Sequence, residues 1–149
     1  MAARSPHIRM RDVSRVYDAL ELGIIIADGN GTIIWGNRYY SSLAQFYIRD
    51  YFGQNVRKIP QRDDVILPTE RYMIDTVLET RQQQTQIVRY PTQDYVLTTA
   101  TPILNKACEI DYIIYSVSNY SDLMRLQEKA SQSTMRAMAL ESHLRNIQV

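Results

Sequence analysis

The residues able to do chemistry are few and scattered. Cys108 is the single cysteine, and His7 and His143 are the two histidines. They fall in different segments with no ligand spacing between them, so no metal site of the Cys/His kind is expected. Asp63-Asp64 is the adjacent acidic pair, and it reads as a solvated loop rather than an acid/base or metal centre. The chain has neither a G-x-x-x-x-G-K-[ST] phosphate loop nor a G-x-S-x-G nucleophile elbow. Catalysis is therefore not expected. Tyrosine carries more information, with 11 Tyr against 2 Phe. Tyr40, Tyr47, Tyr72, Tyr90, Tyr95 and Tyr115 fall on inward or boundary faces, and a buried tyrosine hydroxyl needs a partner. Ile24, Ile26, Tyr47, Tyr72, Leu97, Thr99, Tyr115 and Val117 would give a cavity apolar walls with a few polar anchors, as in small-molecule sites. The same side chains could instead fill a solid core, their hydroxyls reaching backbone or water. Arg89 lies on a strand beside this set, either to meet a carboxylate ligand or to stay solvated.

The elements that position these residues follow from periodicity. Residues 1–8 carry no pattern and are expected to form a disordered tail. Val13, Val16, Tyr17 and Leu20 recur at helical spacing, which predicts a flanking helix over 9–21. Asp28-Gly29-Asn30-Gly31 between two Ile-rich runs predicts a hairpin with strands at 22–28 and 32–36. Asn37 is a good N-cap for the helical run that follows, with Tyr40, Leu43, Ala44 and Tyr47 on one side. Gly53, Pro60 and Pro68 leave room only for short helical turns over 48–68. Thr69 is expected to cap the next helix, with Glu70 in its first turn and its end near Thr80. QTQIVRYP, YVLTTATPIL and DYIIYSVSNY then read as three strands. Residues 121–149 contain no Gly or Pro. There Leu123, Leu126, Ala130, the weak Ser133, Ala137, Leu140, Leu144 and Ile147 keep an a/d heptad register.

Whole-chain properties narrow the class. The 149 residues suit one domain plus an extra helix, and the hydrophobic content of 45% supports a real core. A formal charge of +1 argues against a chain-wide nucleic-acid footprint. One cysteine fits a reducing compartment. No apolar run approaches the ~20 residues of a membrane helix. The basic start MAARSPHIRM has no apolar stretch behind it, so it is not a secretory signal. A cytoplasmic protein without membrane contact is expected.

The order of elements, with its motifs, resembles the PAS domain family. GIIIADGNGTIIWGN is similar to the family's glycine, apolar strand, Asp-x-x-Gly turn, second strand and closing Asn. YVLTTATPIL resembles the penultimate strand with its proline. SVSNYSDLMRLQEK resembles the last strand and the signalling helix. Asn119-Tyr120-Ser121 stands where Asp-Ile-Thr is usual, and Ser121 or Asp122 would supply the cap. The resemblance covers about residues 10–130. It implies an α+β fold: a five-stranded antiparallel sheet with helices on one face, flanked by the N-terminal helix and a C-terminal coiled-coil-like helix. The domain itself would span 22–120 and the signalling helix 121–149. The sequence is most similar to the input domains of sigma-54-dependent bacterial transcription activators, with sensor histidine kinases as the alternative effector class.

What the resemblance implies for cofactors can be checked residue by residue. Haem-binding members commonly use a His beside the cavity, but His7 lies in the tail and His143 in the exit helix. Blue-light flavin members carry a reactive Cys in a helix, whereas Cys108 sits in a late strand connection. No haem or flavin is expected, and a small organic ligand of unknown identity remains. ESHLRN around His143 faintly resembles a phosphoacceptor box, but Leu144 stands where an acidic residue is needed, so His143 reads as an exposed helical residue.

Two functions stay open at this stage. One is a sensor with a small-molecule pocket, and the other is a ligand-free dimerisation or protein-interaction module. In both, the heptad positions Leu123, Leu126, Ala130, Ala137, Leu140, Leu144 and Ile147 are expected to build a parallel homodimer. The pattern runs to the end of the sequence, which leads us to expect an input module of a longer regulator with an ATPase, DNA-binding or kinase effector. Alternation puts Ile24 and Ile26 on one face of the first strand and Gly23, Ile25 and Ala27 on the other. With Ile24 and Ile26 assigned to the cavity, the second face becomes the expected dimer contact.

Overall fold

A computed structural model describes residues 9–62, 64–69, 71–91 and 95–147. The expectations placed on the tail, His7, Asp63, Glu70, residues 92–94 and the side chains of Leu123 and Ile147 lie outside the described residues. Five strands carry the fold: β1 (Gly23–Asp28), β2 (Ile33–Gly36), β3 (Gln84–Arg89), β4 (Tyr95–Leu104) and β5 (Ile110–Asn119). They form one sheet in the order β2-β1-β5-β4-β3, every neighbouring pair antiparallel. The helices are α1 (Met10–Ala19), α2 (Arg38–Ala44), α3 (Met73–Thr80) and α4 (Tyr120–Ile147). Short 3-10 turns at Ile48–Tyr51 and Val56–Lys58 fill the proline- and glycine-containing stretch between α2 and α3.

The β1–β2 turn is built by Asp28. Its Oδ1 accepts from the N–H groups of Asn30 and Thr32, both at 2.9 Å. Gly31 has φ +88°, which favours glycine, and a Cβ there would lie 2.4 Å from Ile74 Cδ1 and force the tip of that side chain to move. The turn then anchors the following loop: Val56 N–H donates to Gly31 O at 2.7 Å, and Ile33 N–H to Gln54 O at 2.8 Å.

Asn37 joins β1 to α2. It is 1% exposed. Its Oδ1 accepts from Ile24 N–H (2.8 Å) and from Tyr40 N–H (3.4 Å), and its Nδ2 donates to Leu22 O (2.8 Å). Asp18 of α1 adds a second contact at the start of α2, its carboxylate accepting from Tyr39 N–H at 2.9 Å. Sequence position alone makes Asn37 a helix cap; the structure makes it a strand clamp as well.

Local departures from the sequence expectations have identifiable causes. The second helix stops at Ala44 because Gln45 takes φ 64°, so Tyr47 leaves the helical register and is 75% exposed. Thr69 does not cap α3. Its hydroxyl donates to Arg71 O (3.2 Å), and the helix begins at Met73 behind Tyr72, which makes no side-chain cap bond. The exit helix begins at Tyr120, which places Ser121 in its first turn, and the side chain of Asp122 lies outside the described residues.

The parity of β1 is the reverse of the expectation. Gly23, Ile25 and Ala27 face the helices, with Ile25 3% and Ala27 0% exposed, and so cannot form the outward dimer contact. Ile24 and Ile26 lie on the opposite face, paired across the sheet with Ser116 and Ile114. Val88, Val96, Ala100, Ile113, Tyr115 and Val117 complete the inner surface, all under 7% exposed. The chain divides after Asn119 into this domain and a second unit formed by α4. No helix among the described residues is long and apolar enough to cross a membrane.

The Asn37 clamp makes a sharp stability prediction. Asn37→Ala is expected to lose about 3 kcal/mol, combining a cap with buried backbone groups left unpaired. Asn37→Asp keeps an equally good cap but cannot donate to Leu22 O, and should still lose about 2 kcal/mol near pH 7. Asn30→Ala in the exposed turn should stay within about 0.5 kcal/mol. Urea unfolding of the three variants checks this. An Asn37→Asp midpoint equal to the parent would mean that only the cap matters.

Candidate functional site

A cavity of about 60 Å³ lies between the inner face of the sheet and the segment running from Val56 through α3. The sheet contributes Ile25 from β1, Gln86 and Val88 from β3, Thr98 from β4, and Tyr115 and Val117 from β5. Val56, Ile59, Val65 and Ile74 close it with apolar surface, and all four are buried. Arg57, Pro60, Leu67, Tyr72, Met73 and Gln86 line it while keeping partial exposure, which marks where it approaches solvent. The volume is the share of roughly two liquid water molecules. Drug-sized sites hold about 300–1,000 Å³.

The eight residues nominated from sequence separate cleanly. Tyr72, Tyr115 and Val117 line the cavity, whereas Ile24, Ile26, Tyr47, Leu97 and Thr99 do not. Four of those five are one residue out of phase on a strand; their neighbours Ile25 and Thr98 point inward instead. Tyr47 is displaced by the early end of α2. Arg89 is likewise outside the lining, its guanidinium 5.9 Å from the centre of the Tyr95 ring. Gln86 and Thr98 are the polar residues that sequence reasoning missed. The run Leu97-Thr98-Thr99 offers no parity signal of its own. The signal lay in Ala100, whose small side chain suits the inner position beside the large Tyr115 ring.

Polar groups cluster at two places. At the rim, Nε and a terminal nitrogen of Arg57 donate to Asp75 Oδ1, the former at 3.2 Å, while Nη1 donates to Asn55 Oδ1 at 3.2 Å. On β3 and β4, Gln86 Oε1 and Thr98 Oγ1 are buried with no hydrogen-bond partner and almost no accessible surface of their own. Such atoms normally find partners, and leaving one bare costs about 1–3 kcal/mol. Farther back, Tyr40 and Tyr90 join hydroxyls at 2.7 Å inside a ring cluster with Phe46. Arg62 covers that cluster, 4.2 Å from the Phe46 centroid, and is held by Tyr51 and Asp64. These contacts hold Asp64 in a structural ion pair, and the Arg62 guanidinium lowers its carboxyl below the usual range.

Among the described residues no His or Cys lines the cavity, and Cys108 is exposed in the β4–β5 turn at φ 61°. Among the described residues no group of three or more His, Cys, Asp or Glu could hold a metal ion.

No protein-family model and no curated protein matches the sequence. Solved structures do match. The PAS domain of the fruit-fly ELK potassium channel superposes with a TM-score of 0.54, at 11% identity, over 77% of this chain and 99% of that one. The PAS domain of BvgS from Bordetella pertussis gives 0.53, at 14% identity, over 83% and 97%. This is a PAS fold. A sensory box sensor histidine kinase from Vibrio cholerae gives 0.51 at 20% identity, over 72% of this chain and 87% of that one. At these identities the likeness establishes the PAS architecture alone.

Buried tyrosines make this fold sensitive to alkali. Burial raises the Tyr115 hydroxyl, with Arg57 opposing the rise and Asp75 adding to it. Burial likewise raises Tyr40, and lifts Tyr90 to about 12, the Tyr40 hydroxyl partly offsetting the latter by stabilising its phenolate. An unfolded tyrosine ionises near pH 10. The stabilisation is therefore complete below pH 10 and is lost as pH rises toward 12, at up to about 1.4 kcal/mol per pH unit for each buried tyrosine. Urea midpoints from pH 8 to 11, with tyrosinate absorbance, should show this fall. Tyr115→Phe should make it shallower, and an unchanged slope would remove Tyr115 from the account.

Proposed function

We propose that this chain is a sensory input domain of a bacterial signal-transduction protein, non-catalytic and cytoplasmic, that reads a small molecule and signals through a dimeric exit helix. The observation that carries this reading is the cavity inside the PAS fold, walled mostly by apolar side chains of the sheet and of the segment from Val56 through α3. Named neighbours agree with a sensory setting: the sensor histidine kinase of Vibrio cholerae and the PAS domain of nitrogen regulation protein NR(II) from Vibrio parahaemolyticus, the latter with a TM-score of 0.52, 13% identity and coverage of 75% of this chain and 99% of that one. A sigma-54-dependent transcription regulator is the proposed setting, supported by the sequence likeness of its β3–β5 region and exit helix. The effector would lie in the full-length protein, and this segment would make no nucleic-acid contact of its own. The small cavity favours one alternative, a ligand-free dimerisation module in which the sheet and exit helix alone carry the interaction.

The proposed dimer rests on α4. Leu126, Leu140 and Leu144 are 64%, 61% and 52% exposed, and Ala130 and Ala137 on the same stripe are exposed too. A stripe of leucines left wet at heptad spacing is stabilised by a second copy of the helix. Sedimentation equilibrium of residues 1–149 should give a dimer at tens of micromolar. Leu126→Lys with Leu140→Lys should shift it to monomer while leaving the unfolding midpoint of the PAS domain in place. A monomeric parent at high micromolar concentration would remove the helix as the dimer element.

A further inference from the structure

We infer that the cavity takes up an uncharged apolar molecule of about two non-hydrogen atoms, the class to which the dissolved diatomic gases belong. This rests on the sensory reading above and gives its ligand a size and a polarity. The inner lining is hydrocarbon. Ile25, Val88 and Val117 from the sheet and Val56, Val65 and Ile74 from the covering segment are all buried. The polar side-chain groups of the lining are committed elsewhere or out of reach. Gln86 Oε1 and Thr98 Oγ1 have almost no accessible surface, and Gln86 Nε2 donates to Thr69 Oγ1 at 3.4 Å. The Tyr40 and Tyr90 hydroxyls bond each other at 2.7 Å. The Tyr115 phenol feels the charges of both Arg57 and Asp75, which sets its hydroxyl toward that pair at the rim. Tyr72 belongs to the part-exposed side of the lining. A water molecule is held by about two to four polar partners. Water among these inner side chains is poorly held, and an apolar occupant that displaces such water gains affinity.

Charge and size set the remaining limits. Arg57 is the one charged side chain among the described lining residues, and its guanidinium is already bonded to Asp75 and Asn55. An ionic ligand would lose its hydration to hydrocarbon with no free counter-charge. An alcohol would bring a hydroxyl that finds no partner on the inner walls. A cavity of about 150 Å³ takes benzene, with its six carbons, and by proportion about 60 Å³ takes about two non-hydrogen atoms. Dioxygen and carbon monoxide have that size and carry no group that must be hydrogen-bonded. Methanol has the same number of non-hydrogen atoms and does carry one.

Methyl nuclear magnetic resonance of the whole chain under xenon, dioxygen and methanol tests this. Xenon is an apolar atom that enters apolar cavities. It should give saturable shifts at the methyls of Ile25, Val65, Ile74 and Val117, with a Kd on the order of millimolar. Methanol at equal concentration should leave these methyls in place. Dioxygen is paramagnetic, and replacing argon with it should speed relaxation more at these methyls than at the exposed Ile34 and Leu140. Val88→Ile adds one methylene to the lining. It should cut the xenon shifts at Ile25 and Val117 at least about threefold, because one carbon takes up a large share of room for two, with an unfolding midpoint no lower than the parent's. If that variant does not fold, Val65→Ile makes the same test. Methanol shifts equal to those of xenon, dioxygen relaxation no greater than at the exposed methyls, or a folded Val88→Ile with unchanged xenon shifts each overturn the assignment. A larger molecule retained in native mass spectrometry, with no xenon response, overturns this size class and leaves the sensory reading standing. No retained molecule and no response to any probe removes both.

Discussion

One side chain carries the geometry on which the rest depends. Asn37 bonds simultaneously to the backbone on both sides of Gly23 and to the first turn of α2. An amide carries an acceptor oxygen and a donor nitrogen on one planar group, so a single side chain serves both backbone partners. The clamp brings Tyr40 so close to β1 that a Cβ at Gly23 would lie 3.2 Å from the Tyr40 Cα. Tyr40, so placed, meets the hydroxyl of Tyr90 just after β3. In this way a contact at one end of the sheet order reaches the strand at the other. The cavity lies in the space this arrangement leaves.

The floor of that cavity is costly by ordinary packing rules. Val in place of Thr98 would fill the same volume with no polar atom to satisfy. Apolar positions surround it: Val88, Val96 and Val117 are all buried. Toward the middle of the sheet's inner face the Gln86–Thr98 pair interrupts this apolar surface with two buried atoms that lack partners.

The sequence made the order of elements readable, because turn residues and helix formers act locally. Asp28 through Gly31 announce their turn, and Gly-free, Pro-free residues after 121 announce a helix. Facing was harder to read. Ile24-Ile25-Ile26 is apolar at every position, so alternation says which residues share a face but not which face is inside. That choice is made by tertiary contacts: Asn37 gripping Ile24, and Tyr40 filling the space over Gly23. Thr69 failed as a cap for a related reason, since its hydroxyl was taken by Arg71 O two residues away. The candidate site inherited the parity error on β1 and β4, while Tyr72, Tyr115 and Val117 were placed by patterns that do not depend on it.

The register of the last two strands has a mechanical corollary. Thr98 pairs across the ladder with Val117, and Val96 with Asn119, the last residue of the sheet. From Val117 the backbone runs two more residues, roughly 7 Å of strand, before it leaves the sheet. A lever works best when the load is applied close to its pivot. Here Thr98, in the cavity lining, sits opposite Val117, so a displacement of that pair is felt within the last few peptide units of the sheet.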